Sequence, residues 1–409
     1  MKKGLFVLAL IISIGLFVSG CGAENISASS EKQAVKSSDT TLTDMDNGEA
    51  DTKSQTDDKV EKAESVSKSS DDKNSTEDAS KDADLKTETK EEPVKKVNNS
   101  SQKYSNLSTW VAYWDYKDAI EQIDALGDSL DTIVCFEALY GSDGKTILHP
   151  EGCDDLLNLL KSNYGKKTIY LSYTNDYQNT DGSYTQKSVD LLRAVFSSQN
   201  AMSAYAKDMV DDAKKSGVDG IELDYENMRK DESLFAGYAQ FVEVLANECS
   251  ANNLSFRVAT EYQTGIKCNL INGPEYVVMC YNLYGYGTEP GPKADMAYLD
   301  ACYTNFAYLD NVKFAFSLGG FKWNNGNVSA VTENEALALL SGSGAAIAYE
   351  PSGGAYFNYA EADGSASTVY YADANTINAW KSYLVAKGAK GFALWRLGGN
   401  SIDSLRGMR

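Results

Sequence analysis

Eight short apolar, β-branched or aromatic runs recur between residues 104 and 409 of this chain. They are Thr109–Trp114, Asp131–Glu137, Thr168–Tyr173, Gly220–Tyr225, Leu254–Thr260, Tyr276–Asn282, Lys313–Leu318 and Gly391–Trp395. Helical periodicity lies between them, clearest at Met202–Ser216, Leu234–Asn252 and Met296–Tyr308. Gly217 and Gly388 each follow a helical stretch and precede a buried run, the position where a glycine stops a helix. Strand and helix alternating over eight units predict an α/β fold, a (β/α)8 TIM barrel. The segment Ala355–Ala372 breaks the pattern. It reads as a β-hairpin turning at Asp363-Gly364, inserted near the barrel mouth before the last strand.

The first hundred residues have another character. Lys2 and Lys3 precede an apolar stretch from Leu5 to Val18, too short for a comfortable membrane span. Val18-Ser19-Gly20-Cys21 follows directly and resembles the lipobox of bacterial lipoproteins, in which the Cys is lipidated. Residues 1–21 are therefore expected to be a signal peptide, with Cys21 anchoring the mature chain to a membrane rather than spanning it. Residues 22–103 are rich in Ser, Asp, Lys, Glu and Thr and hold no Phe, Tyr or Trp. Such a segment cannot bury enough apolar surface to offset its ordering entropy and is predicted to be a disordered linker. As a flexible coil it would span roughly 50 Å. That reach suits the extracellular face of a bacterial membrane, with residues 104–409 held in the cell wall.

Charge and rare residues narrow the function. The formal net charge of −20 argues against nucleic acid and against docking on anionic lipid. His149 is the sole histidine and is expected on a surface loop, which leaves no His-rich metal site. Beyond Cys21 there are six cysteines and no C-x-x-C spacing, so neither a structural zinc nor any other metal or cofactor is expected. Cys135 and Cys280 fall in strand-like runs and read as buried thiols. A monomer is expected.

The strongest chemical signal is Val218 to Glu226. In a strand, Gly220, Glu222, Asp224 and Glu226 share one face while Ile221, Leu223 and Tyr225 share the other. Crowded carboxylates push at least one pKa upward and so keep an acid protonated near neutrality. A protonated carboxyl beside an ionised one suits glycosidic bond cleavage. The same row could instead bind a cation or pair with Arg and Lys.

Asp219-Gly220-Ile221-Glu222-Leu223-Asp224-Tyr225-Glu226 resembles the Asp-Gly-x-Asp-x-Asp-x-Glu motif of glycoside hydrolase family 18, with Glu222 for the middle Asp. Met279-Cys280-Tyr281-Asn282 resembles the family's Met-x-Tyr-Asp, with Asn282 for Asp. Trp395 in Gly391-Phe-Ala-Leu-Trp resembles the Trp that floors the sugar site. The C-terminal part is similar to the branch of spore cortex-lytic N-acetylglucosaminidases. The third-strand segment Leu171-Ser-Tyr-Thr-Asn-Asp176 lacks the Ser-x-Gly-Gly of typical chitinases.

The resemblance implies a retaining, substrate-assisted hydrolysis in which the substrate's N-acetyl group attacks the anomeric carbon. Glu226 would be acid and then base. Asp224 would hold the acetamido nitrogen, Glu222 would pair with Asp224, and Tyr281 would donate to the acetamido oxygen. Trp395, Asn282, Tyr113, Tyr173 and Glu261 are candidate substrate contacts. Trp114, Tyr177, Tyr262, Tyr284, Trp323 and Arg396 are further rim candidates. The expected partner is a glycan containing β-linked N-acetylglucosamine, with peptidoglycan foremost. The Glu222 and Asn282 departures keep open a non-catalytic carbohydrate-binding barrel. An endo-β-N-acetylglucosaminidase or chitinase acting on N-glycans or chitin is the remaining alternative.

Overall fold

The computed structural model describes residues 107–408. The expected signal peptide with Cys21 and the linker 22–103 lie outside the described residues. The eight strands form as β1 (Leu107–Ala112), β2 (Thr132–Tyr140), β3 (Thr168–Gln178), β4 (Gly220–Asp224), β5 (Ser255–Glu261), β6 (Glu275–Met279), β7 (Val312–Ser317) and β8 (Gly391–Leu397). Each pairs in parallel with the next, and β8 closes on β1 with Phe392 opposite Leu107. The chain is a TIM barrel, as its periodicity predicts.

Strand alternation sorts side chains into two apolar layers. Ile221, Leu223 and Tyr225 of the β4 segment face outward into the layer shared with the helices. There Tyr225 stacks on Phe241 with ring centroids 5.7 Å apart. Trp110, Val134, Tyr170, Ala259, Val277, Ala315 and Ala393 fill the barrel interior, with Phe136, Tyr281 and Trp395 packed on them.

Local signals set the entry to β4. The helix Gln199–Ser216 starts at Ser198, whose side chain accepts from the Ala201 N–H. It ends at Gly217 in the left-handed region (φ 66°), a conformation that costs glycine nothing. Gly220 is needed for a different reason. A Cβ there would lie 2.5 Å from the Tyr170 ring and 2.6 Å from the Ser255 carbonyl oxygen. The interior tyrosine occupies the space that a side chain on the motif's second residue would need.

The insertion is larger than the hairpin read from the sequence. Ala355–Ala360 and Ala366–Ala372 do pair antiparallel, turning through Gly364 at φ 84°. They belong to a five-stranded sheet with Gly319–Asn324, Asn327–Val331 and Ala348–Tyr349. The helix Glu333–Ser343 packs there, and Ala336, Ala355, Phe357, Val369 and Tyr371 make a separate small core. Gly319–Asn324 begins two residues after β7 ends, so its apolar residues read as a continuation of that strand.

The six described cysteines are buried free thiols, and the Sγ atoms of Cys135 and Cys153 lie 3.7 Å apart.

Candidate active site

The mouth of the barrel, where the strands end, collects acids from three adjacent strands. β4 delivers Glu222 and Asp224, with Glu226 just beyond it, while β2 carries Glu137 and β3 carries Asp176. Asp224 is buried, and its Oδ1 has no hydrogen-bond partner among the described residues. Burial pushes its carboxyl well above the usual range, and the charges of Glu226 and Glu222 add to the shift. Glu137 is raised in the same way, by burial and then by Asp176.

Glu226 is held from behind by Asn175, which is fully buried on β3. The Asn175 Oδ1 accepts from the Glu226 N–H at 2.9 Å, and its Nδ2 donates to the Glu226 carbonyl at 3.1 Å. Both backbone groups of the acid are thus fixed by one amide. The Glu226 carboxylate meets Lys187, whose Nζ lies 3.0 Å from Oε1 and 3.1 Å from Oε2. The backbone N–H of Lys187 donates to Asp176 Oδ1 at 2.8 Å, and its carbonyl accepts from Asn227 Nδ2 at 3.2 Å. Lys187 has φ 49°, so these contacts hold it in the left-handed region.

Glu222 is turned toward the barrel axis. Its Oε1 accepts from the Trp110 indole N–H at 2.6 Å, and its Oε2 lies 2.7 Å from Arg257 Nε. The Arg257 contact is ionic and lies off the hydrogen-bonding direction. Arg257 also reaches Glu275 at 3.5 Å, and Glu275 pairs with Lys313 at 3.0 Å. The guanidinium lies against the rings of Trp110 and Tyr170, 5.1 and 5.6 Å from their centroids. Two carboxylates and two cations thus form a chain in the barrel interior. The extra methylene of Glu222 reaches into this chain, and both its oxygens are engaged there.

Tyr281 packs on the barrel-interior cluster, near the acids. Burial pushes its hydroxyl well above the usual range, with Glu226, Asp224 and Glu222 adding to it. It therefore stays a proton donor beside carboxylates. Asn282 has φ 65°, a conformation asparagine tolerates. Trp395 meets Phe136 and Trp110 edge-on, with centroids 4.9 and 5.5 Å away. Tyr113 packs edge-on to Trp114 at 4.9 Å and lies close enough to Glu137 for that charge to raise its hydroxyl further.

Solved glycosidases share this fold. The spore cortex-lytic enzyme SleL of Bacillus cereus superposes with a TM-score of 0.61 at 18% identity, over 74% of this chain and 73% of that one. A chitinase from Chromobacterium violaceum gives a TM-score of 0.62 at 19% identity, over 75% and 98%. A class V chitinase from Nicotiana tobaccum, solved in complex with NAG4, gives 0.58 at 13% identity, over 75% and 98%. No family model and no curated protein matches the chain.

Two expectations change. Tyr173 is not at the mouth. It falls on the outward face of β3, fully buried, and its hydroxyl donates to Asp212 Oδ2 at 2.9 Å. Glu261 serves the loop behind the acid, accepting from the Asn227 N–H at 3.2 Å and lying 3.4 Å from Arg229 Nε. His149 does lie in a loop and is partly exposed, but it is not without partners. Its ring sits between Asp154 (2.7 Å) and Asp212 (3.0 Å), and the Asp212 contact leads in raising its pKa to about 9. A cavity of about 460 Å³ opens beside it in the helix layer, lined also by Lys161 and Lys215. None of the mouth carboxylates lines that cavity, so the chemistry lies elsewhere.

Among the rim aromatics, Trp114 is half exposed. Tyr262 packs against Tyr298 at 5.0 Å. Trp323 is buried in the insertion, its indole N–H donating to the Thr288 carbonyl at 2.9 Å. Arg396 pairs with Asp115 at 2.6 Å.

Sequence reasoning missed Lys187, Asn175, Glu137, Asp176 and Arg257. Glu137 and Asp176 carried a usable signal, being acids near the C-terminal ends of barrel strands. Lys187 carried none, since it lies in a loop nine residues past the end of β3.

Proposed function

We propose that this chain hydrolyses β-linked N-acetylglucosamine polymers, foremost peptidoglycan, with retention at the anomeric carbon. The observation that carries this reading is Asp224 Oδ1, a buried acceptor with no partner among the described residues, near Glu226 and Tyr281. Buried polar atoms are seldom left so, and an acetamido N–H is a partner of the right kind. Glu226 gives its carboxyl proton to the glycosidic oxygen as the acetamido oxygen attacks C1. The leaving alcohol departs and an oxazolinium ring forms. Tyr281 donates to the attacking acetamido oxygen and Trp395 lies under the sugar. Glu226, now a carboxylate, takes a proton from water as that water attacks C1 and reopens the ring. The scheme calls on no metal or cofactor.

Lys187 sets a condition on the first step. An ammonium in contact with a carboxylate favours its charged form, whereas protonating a leaving group needs the other. Substrate entry therefore has to separate Lys187 from Glu226. With Glu222 engaged by Arg257, proton exchange between Glu222 and Asp224 is not part of the scheme.

The same ion pair favours a second reading, a barrel that binds such glycans without cutting them. Fold kinship with chitinases favours chitin as an alternative substrate, and endo cleavage of N-glycans is the remaining variant. Mass spectrometry of peptidoglycan, N-acetylglucosamine oligomers and a test glycoprotein separates these, run with the wild type and Glu226→Gln. Cleavage by the wild type alone supports hydrolysis, and the new reducing sugar names the bond. Binding with every substrate left intact selects the second reading. Anchorage at Cys21 on the outer membrane face belongs to the same proposal, and loss of fatty-acid labelling in Cys21→Ser would support it.

A further inference from the structure

The mouth acids cluster on one side of the ring. They lie on the side of β2, β3 and β4, as Glu137, Asp176, Asp224 and Glu226. Across the ring, on the side of β6 and β7, lies a cation. Lys293 follows β6 in the chain, and its Nζ donates to Ser317 Oγ at 2.8 Å. Ser317 is the last residue of β7 and the register partner of Trp395 on β8. Lys293 Nζ therefore reaches the strand end next to the residue placed under the sugar.

Lys187, Arg229 and Arg396 each have a carboxylate partner. Lys293 has none among the described residues. Its ammonium contacts are the Ser317 hydroxyl and the Phe321 ring, 5.4 Å from Nζ. Burial alone lowers its pKa, to about 7, with no neighbouring charge contributing. Lys293 is partly exposed to solvent at the mouth, and a partly desolvated ammonium without a counterion still carries an unfavourable cost. An anion brought by a ligand would offset that cost with a charge-assisted hydrogen bond. The acids opposite would repel such an anion less than their number suggests, because Asp224 and Glu137 are pushed toward their neutral forms.

We propose that Lys293 is a specificity-determining residue that binds a carboxylate carried by the substrate sugar at the Trp395 side of the mouth. The substrate class is an N-acetylated aminosugar glycan bearing an ionised carboxylate, such as a muramyl unit whose lactyl carboxylate carries no stem peptide. This rests on the hydrolase reading only for the placement of sugar on Trp395; recognition itself needs no turnover.

The test is calorimetric binding to the full-length Glu226→Gln chain, which removes cleavage from the readout. The ligands are a muramyl–N-acetylglucosamine oligomer with free carboxylates, its carboxamide derivative, a neutral N-acetylglucosamine oligomer, and a glucuronate–N-acetylglucosamine oligomer. The free carboxylate should bind about tenfold more tightly than its amide. Adding Lys293→Met should remove that ratio and leave the neutral oligomer unaffected, while Lys293→Arg should keep it. The preference should fade as pH rises through about 7, where Lys293 loses its proton. Glucuronate binding with the same Lys293 dependence would place the recognised group on the ring rather than on a lactyl arm. Equal binding of carboxylate and amide, or a ratio unchanged in Lys293→Met, overturns the proposal. Because no step depends on cleavage, failure of the hydrolase reading is recorded separately, by the product analysis.

Discussion

Arg257 Nε lies 2.7 Å from Oε2 of Glu222, with both side chains fully withdrawn from solvent. The middle carboxylate of the β4 motif is thus used to hold a guanidinium inside the barrel. Buried ion pairs add little over a well-packed apolar pair, yet losing one partner is expensive.

Arg257→Met should destabilise the fold by about 3–5 kcal/mol at neutral pH, because Glu222 and Glu275 lose their shared counterion. The loss should shrink in mild acid, where Glu222, already raised by burial, takes up a proton. Denaturant unfolding at two pH values checks both parts. In the Glu222→Gln/Arg257→Met double variant the loss should fall well short of the sum of the singles.

Lys187→Met should move the basic limb of the pH–kcat/KM profile to higher pH. Activity needs Glu226 protonated, and the ammonium 3.0 Å away opposes that form. Removing it lets the acid keep its proton as pH rises. A profile that stays in place or moves downward would sink this account of the pair.

Asn175→Ala should lower kcat by about 100-fold with a smaller change in KM, because the Glu226 backbone loses both its side-chain supports. Unfolding and oligosaccharide binding measured alongside separate misplacement of the acid from loss of the fold.

Glu137→Gln should stabilise the protein. The folded carboxyl is raised well above its unfolded value, so its contribution is present at acid pH and is lost as pH climbs through the folded pKa. Relative to the wild type, the variant should gain roughly 2 °C in Tm at neutral pH and nothing near pH 4. If the gain persists in acid, the cause is not this ionisation.

The barrel and its row of acids were legible because both rest on period. The two-residue alternation of the β4 segment sent Ile221, Leu223 and Tyr225 outward and the carboxylates inward. Tyr173 failed for the same reason, since its parity on β3 puts it with Ile169 and Leu171 in the outer layer. Lys187, Lys293 and Arg257 were not legible. They meet their partners across 39, 24 and 35 residues of chain, distances at which no local pattern carries information. The insertion was half legible. The turn at Gly364 is readable in the sequence, and the capping box of Thr332 and Glu335 marks the start of the inserted helix.

β4 has five residues, and its two faces answer to different demands, apolar contact with helices on one side and acid chemistry on the other. Inserting or deleting a single residue would exchange the faces, setting isoleucine and leucine in the mouth and carboxylates against Phe241. Change at this strand is therefore confined to replacing one side chain by another. Its length is locked by the oil behind it as firmly as by the acids in front.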